Sequence, residues 1–217
     1  MSEALLPKRF LFRFSLPCWY RDPLWKNDAV GLDARHRLIR LAELEHPASP
    51  IDVRAAWSEA GLAFTVVVEG KDQAPWCRES RAEDSDGVHF WIDTRDVHNI
   101  HRASRFCHQF SFLPTGGGHR LDKPVGLQTP INRAKDQPRQ VRPEELRVAS
   151  QLKRNGYVLD VFLPAATLTG FDPAEHPRLG FTYAVVDREL GEHTLSVGSP
   201  MPYQEDPSFW ATLDLTR

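Results

Sequence analysis

Apolar and polar residues alternate along most of this chain with a period of two, the pattern of half-buried strands. The clearest stretch spans residues 84–114. Val88, Phe90 and Ile92 fall on one side of an extended segment, with His89, Trp91 and Asp93 on the other; further on, Phe106, His108, Phe110 and Phe112 share a face. Two such runs joined by a polar link predict an antiparallel pair, which we place at the sheet centre because its aromatic face is too apolar to leave in water. Upstream, Ile51, Val53, Ala55 and Trp57 alternate, residues 58–61 supply a turn, and residues 62–68 form a β-branched run, which together predict a hairpin. Residues 146–152 and 157–163 flank Asn155-Gly156, a strong two-residue hairpin signal. Strands are also expected at residues 179–186, 193–197 and 209–215, the last closing the sheet.

The alternation of Phe10, Phe12, Phe14 and Leu16 predicts a first strand ended by Pro17, followed by a loop carrying Trp19, Tyr20 and Trp25. Leu38, Leu41, Ala42 and Leu44 fit either a short helix or a strand. Residues 115–143 hold few periodic apolar positions and are expected to run over the surface as a long excursion. Long amphipathic helices are missing from the pattern. The expected fold is therefore all-β: an antiparallel, jelly-roll-like β-sandwich with long loops and only short helical turns, formed by residues 1–217 as one domain.

Composition narrows the function classes. The 27 basic and 29 acidic residues leave a net charge of −2, so no field of one sign points to nucleic acid or an anionic membrane as partner. No apolar run approaches membrane-spanning length. Cys18, Cys77 and Cys107 form no Cys-x-x-Cys pair, and their odd number suits a reducing compartment. Glu3 and Pro7 interrupt the apolar amino terminus, which lacks a signal peptide's basic-then-apolar layout; the expected location is cytoplasmic.

The order of these segments resembles carbohydrate-binding module family 9 and its DOMON-like relatives. The resemblance spans about residues 51–215, with the strand and aromatic loop of residues 9–45 packed on that region. It rests on the hairpin ending near Val68, the strand from Asp86 to Asp93, the strand from Tyr157 to Pro164 running into Leu168 and Phe171, the strand from Leu179 to Asp187, and the terminal Phe209, Trp210 and Leu213. It implies a jelly-roll-like sandwich with a binding role, often for a saccharide held between aromatic rings, sometimes with structural calcium; DOMON-like relatives bind haem instead.

Sugar recognition needs flat aromatic faces with polar groups around them. Trp25 and Trp76 lie in polar loops and read either as platforms or as caps on the core. Trp91 reads either as a platform or as part of a second core layer, while Trp57 and Trp210 read as core. His98, His101 and His108, near Asp93 and Asp96, form the densest group of candidate metal ligands, although Arg95, Arg102 and Arg105 among them disfavour a cation. An alternative grouping of Arg102, Arg105, His108 and His119 would make a basic pocket for a carboxylate or phosphate. The acidic run from Glu83 to Asp86, with Asp187, offers oxygen ligands to calcium or simply marks turns. Hydrolase, zinc-protease and phosphate-loop motifs are absent, so enzyme activity is not expected. Three functions remain: a non-catalytic saccharide-binding domain, a haem-binding domain using Met201 and a histidine, or a scaffold with no small ligand.

Overall fold

The computed structural model describes residues 13–39 and 49–217. Phe10, Phe12, Leu41, Ala42, Leu44 and the amino-terminal segment considered for export lie outside the described residues. Strands dominate, as the alternation predicts, and the only helical pieces among the described residues are short 3₁₀ turns.

The hairpin of β2 (Ile51–Ser58) and β3 (Gly61–Glu69) forms as expected, with Ile51 opposite Val68 and Ser58 opposite Gly61. Strands β4 (Gly87–Asp93) and β5 (Cys107–Gly117) make the expected antiparallel pair, with Phe90 opposite Phe110. The Asn155-Gly156 turn joins β7 (Arg147–Lys153) to β8 (Gly156–Pro164). Glycine is required at 156 because a Cβ there would lie 1.9 Å from the carbonyl oxygen of Val68 on β3. Strand β9 (Arg178–Asp187) turns into the short β10 (Gly191–Thr194), and β11 (Ala211–Thr216) follows.

Three expectations change. β1 (Ser15–Tyr20) continues through Pro17 and includes Trp19 and Tyr20, which the sequence reading assigned to a loop. Pro17 is flanked by β11, whereas β2 joins only at Trp19 and Tyr20, so the missing N–H is tolerated. The excursion expected over residues 115–143 contains β6 (Lys123–Thr129), paired with β5 from Gln109 to Leu113 and again at Gly117, with a register irregularity between Leu113 and Gly117. The β4–β5 pair is not the sheet centre either. The strand order is β6-β5-β4-β9-β11-β1-β2-β3-β8-β7, with β10 added on β9.

Pairing is antiparallel except at β1, which runs parallel to both β11 and β2. The long connection after β1 supplies the crossover that a parallel neighbour needs. Along this path the sheet folds back on itself. Phe64 of β3 stacks on Phe90 of β4 at 4.2 Å and 22°, and lies 5.6 Å from Phe181 of β9 at 4°, although these strands belong to opposite halves of the path. Val88, Phe90, Ile92, Phe110, Phe112, Leu159, Val161, Tyr183 and Leu213 fill the space between the layers. The end strands β6 and β7 approach each other, which brings the sandwich close to a barrel.

Candidate functional site

The outward faces of the two layers are also covered. On β4, β9 and β11 the residues alternating with the core, among them Trp91 and Ala184 with the adjoining Trp210, meet Ala103, Ile131, Val197 and Tyr203 from the connecting loops and form a second cluster. Trp91 is 1% exposed and meets Tyr203 edge-on at 5.4 Å. The Trp210 indole N–H donates to the Tyr203 carbonyl at 2.7 Å. This burial corrects the reading of Trp91 as an exposed platform: it belongs to a second core layer. Met201 packs on the same cluster, beside aromatic rings.

Trp25 lies against the opposite outer face. With Leu24, Val30 and Leu32 it covers Ala56, Ala63 and Phe162 of β2, β3 and β8. Side chains of the sheet hold this segment: Gly31 N–H donates to Asp160 Oδ1 at 3.2 Å, and Leu32 N–H to Thr65 Oγ1 at 3.1 Å. Trp76 occupies a third place, in the loop before β4. The three rings therefore do not converge on one cleft.

The histidines also separate. His98 Nε2 lies 2.8 Å from Asp96 Oδ1 and 3.1 Å from Thr212 Oγ1. His101 is exposed beside Asp206. His108 is buried and stacks on Phe110 at 5.9 Å; burial holds its ring pKa down to about 4. Among the described residues no three His, Cys, Asp or Glu side chains are grouped to hold a metal ion, which corrects the proposed His98, His101 and His108 site. The basic pocket is not assembled. Arg102 Nε donates to the Arg133 carbonyl at 2.8 Å and Arg105 pairs with Asp136 at 3.3 Å, so both tie loops together, while His119 is exposed in the β5–β6 turn.

The acidic residues considered for calcium have another occupant. The Lys71 ammonium, 3% exposed, lies 2.5 Å from Asp187 Oδ2 and 3.3 Å from Asp86 Oδ2. Burial would lower the lysine's pKa, but hydrogen bonds and charge from Asp187 and Asp86 outweigh it and the net direction is up. Remaining acceptor positions take backbone donors: Asp86 receives the N–H groups of Trp76 and Arg188, and Asp187 those of Glu189 and Leu190. These oxygens do not fit a calcium ion as they stand, because the Lys71 ammonium already occupies the space between them and backbone N–H groups take their other acceptor positions.

Clefts open among the loops of the described residues, and two of them hold polar side chains. One, of about 250 Å³, lies beside the end of β6 and is lined by Cys107, Gln128, Thr129, Pro130, Ile131, Gln137, Pro138 and Gln140. Its walls carry no formal charge. Burial pushes the Cys107 thiol up to about 12, so it stays protonated. Gln128 Oε1 accepts the Val141 N–H at 2.6 Å, and Gln137 Nε2 donates to the Ile131 carbonyl at 3.1 Å, which fixes both amides. Gln128 Nε2 and Thr129 Oγ1 are buried and have no hydrogen-bond partner among the described residues. Farther along this connection Arg139 bonds Glu145 and the Ala166 carbonyl, holding the Glu145 carboxyl down to about 2. The second cleft, of about 220 Å³, is lined by His101, Arg102, Arg133, Pro202, Glu205 and Asp206. Its polar groups are tied within the protein: His101 Nδ1 lies 3.0 Å from Asp206 Oδ2, Arg133 3.9 Å from Glu205, and Arg102 donates to the Arg133 carbonyl.

The sequence reading missed the glutamine-lined cleft because its residues follow no periodic pattern. Pro130 and Pro138, bracketing a polar stretch, are the one signal it left.

The architecture is thus an all-β sandwich with an uncharged, amide-lined cleft among its loops. The fold is shared with a carbohydrate-binding module family 9 structure from Caldicellulosiruptor kristjanssonii. In its complex with cellotriose that structure matches at 10% identity and TM-score 0.59, covering 93% of each chain; in complex with glucose the values are 11% and 0.60, covering 94% of this chain and 96% of the other. A Bacteroides uniformis protein provisionally described as carbohydrate-binding matches at 16% identity and TM-score 0.58, covering 94% of this chain and all of the other. No protein-family model and no curated protein matches the sequence. Among the described residues no helix is long and apolar enough to cross a membrane.

Proposed function

We propose that this chain folds as one non-catalytic binding module for a saccharide, and that the cleft beside β6 receives one neutral sugar unit. The observation that carries this reading is the chemistry of the cleft wall: amide and hydroxyl groups of Gln128, Thr129, Gln137 and Gln140 beside the apolar Pro130, Ile131 and Pro138, without a formal charge. A sugar hydroxyl both donates and accepts, and a primary amide answers both needs. Proline rings and Ile131 suit the C–H face of a pyranose. At about 250 Å³ the cleft is below the roughly 300 Å³ at which drug-sized sites begin, which suits a single ring. The shared fold with structures that hold glucose and cellotriose supports the same ligand class.

Titration calorimetry with glucose, cellobiose and cellotriose tests the proposal, alongside a panel of other neutral sugars. Gln140 is exposed and its side chain makes no hydrogen bond among the described residues, so Gln140→Ala removes an amide and leaves the loop intact. It is expected to weaken binding about five-fold, the loss of about one neutral hydrogen bond. A panel without heat or chemical-shift change, or a Gln140→Ala variant that binds unchanged, overturns the assignment.

A further inference from the structure

Trp76 is the one candidate aromatic that neither outer-face cluster absorbs. It is half-buried, and the Arg188 guanidinium carbon lies 3.4 Å from its ring centroid, with those of Arg78 and Arg81 at 5.6 and 5.7 Å. Three guanidinium groups around one indole are not needed to satisfy carboxylates. Arg81 alone is paired, donating to Asp84 Oδ2 at 2.6 Å. Arg78 donates through Nη1 to the Cys77 carbonyl, and among the described residues neither Arg78 nor Arg188 has a carboxylate within ion-pair distance.

The corner is held from beneath by one group. The Asp86 carboxylate accepts the Trp76 N–H through Oδ2 at 3.0 Å and the Arg188 N–H through Oδ1 at 2.9 Å, so one buried side chain sets the spacing of the Trp76 loop and the turn after β9. Glu189 adds a second tie by accepting the N–H groups of Asp72 and Gln73. Lys71 lies 3.3 Å from Asp86, 2.5 Å from Asp187 and 3.8 Å from Glu189, so the acids beneath the corner have an ammonium of their own and form no ion pair with Arg78 or Arg188 among the described residues. A guanidinium stacked on an aromatic face keeps its in-plane N–H donors turned outward, a fork that matches the two oxygens of a carboxylate or sulfate.

We propose that this corner is a second ligand site, separate from the glutamine-lined cleft, which binds an oxyanion group, carboxylate or sulfate, carried on a saccharide. Arg188 and Arg78 bind the anion, Arg81 adds to the local potential, and Trp76 fixes Arg188 in its stacked position. That the anion is borne on a saccharide rests on the function proposed above; the preference for an oxyanion rests on the arginines alone.

The test is titration of the full chain with oligogalacturonate, a heparin-derived tetrasaccharide, neutral cellotriose and inorganic sulfate, followed by calorimetry and by tryptophan fluorescence. Saturable binding of at least one acidic oligosaccharide is expected. It should weaken as salt rises and fall about tenfold or more in Arg188→Gln and in Arg78→Gln, each a lost charge-assisted contact at an exposed position. The fluorescence response should vanish in Trp76→Phe, with any residual binding read by calorimetry. Cellotriose should bind without competing for this corner and should bind Arg188→Gln as it binds the unaltered protein. If inorganic sulfate binds as tightly as the oligosaccharides, the saccharide part of the assignment fails. If neither acidic oligosaccharide nor sulfate binds, or if both arginine variants bind unchanged, the site itself is refuted. A silent cellotriose arm with acidic binding retained would instead count against the neutral cleft and leave this corner standing.

Discussion

Replacing His89 with asparagine should flatten the acid side of the protein's stability profile. His89 is 5% exposed on β4, and its Nδ1 lies 2.8 Å from Ser111 Oγ on β5. Burial lowers its pKa from 6.5 to about 4. The folded state therefore keeps the ring neutral where the unfolded chain has already taken up a proton. Between those two values the unfolded state binds more protons, so stability falls as pH falls. At about 1.4 kcal/mol per tenfold change in proton affinity, this one ring accounts for about 2 kcal/mol lost between about pH 7 and pH 5, and about 3 kcal/mol by pH 4. His89→Asn keeps an acceptor for Ser111 and removes the titration. Urea unfolding of both proteins at about pH 7, 5.5 and 4.5 checks the sum, with the variant expected to lose about 2 kcal/mol less over that range. His108, also held down to about 4, titrates in both proteins and cancels in the difference. Parallel profiles for the two proteins would refute the reasoning, since they would mean that the folded protein protonates His89 as readily as the unfolded chain does.

Two further outcomes follow from the packing. Lys71→Met leaves the buried Asp86 and Asp187 carboxylates without their shared counter-ion and should cost about 3–5 kcal/mol in urea unfolding; a loss under about 1 kcal/mol would show that the lysine is not what stabilises them. Phe64→Ala removes the ring that meets both Phe90 and Phe181 across the two layers and should cost about 3–5 kcal/mol; a loss no larger than that of an exposed substitution would contradict the face-to-face arrangement.

What could be read from the sequence was local. Val88, Phe90 and Ile92 alternate cleanly, and Asn155-Gly156 names its own turn, so β4 and the β7–β8 hairpin stood out. β6 did not, because only Val125 and Leu127 supply its apolar side while Pro124 and Gly126 interrupt it. Alternation assigned Trp91 to the face opposite Phe90, yet it carries no information on whether loops cover that face; Tyr203 and Ile131, which bury it, come from distant segments. His98, His101 and His108 are close in the chain, but one bonds Asp96, one faces solvent and one enters the interior, because a strand and a turn send neighbouring side chains in different directions. Trp76 in its polar loop was visible, whereas its pairing with Arg188 depends on a tertiary contact through Asp86.

The parallel seam between β1 and β11 bears on how the chain acquires its shape. Ser15 lies beside Thr212, and it is this contact that unites the two halves of the hydrogen-bonded path. Each half already needs one distant pairing, β4 with β9 and β3 with β8, and their union at β1 and β11 closes a still longer loop, an entropic cost that pushes folding toward the slow, millisecond-to-second regime. A nascent chain emerging from the ribosome would hold exposed strand edges until its final strand arrived, so protection of amides in β1 from exchange should be among the last to develop during refolding.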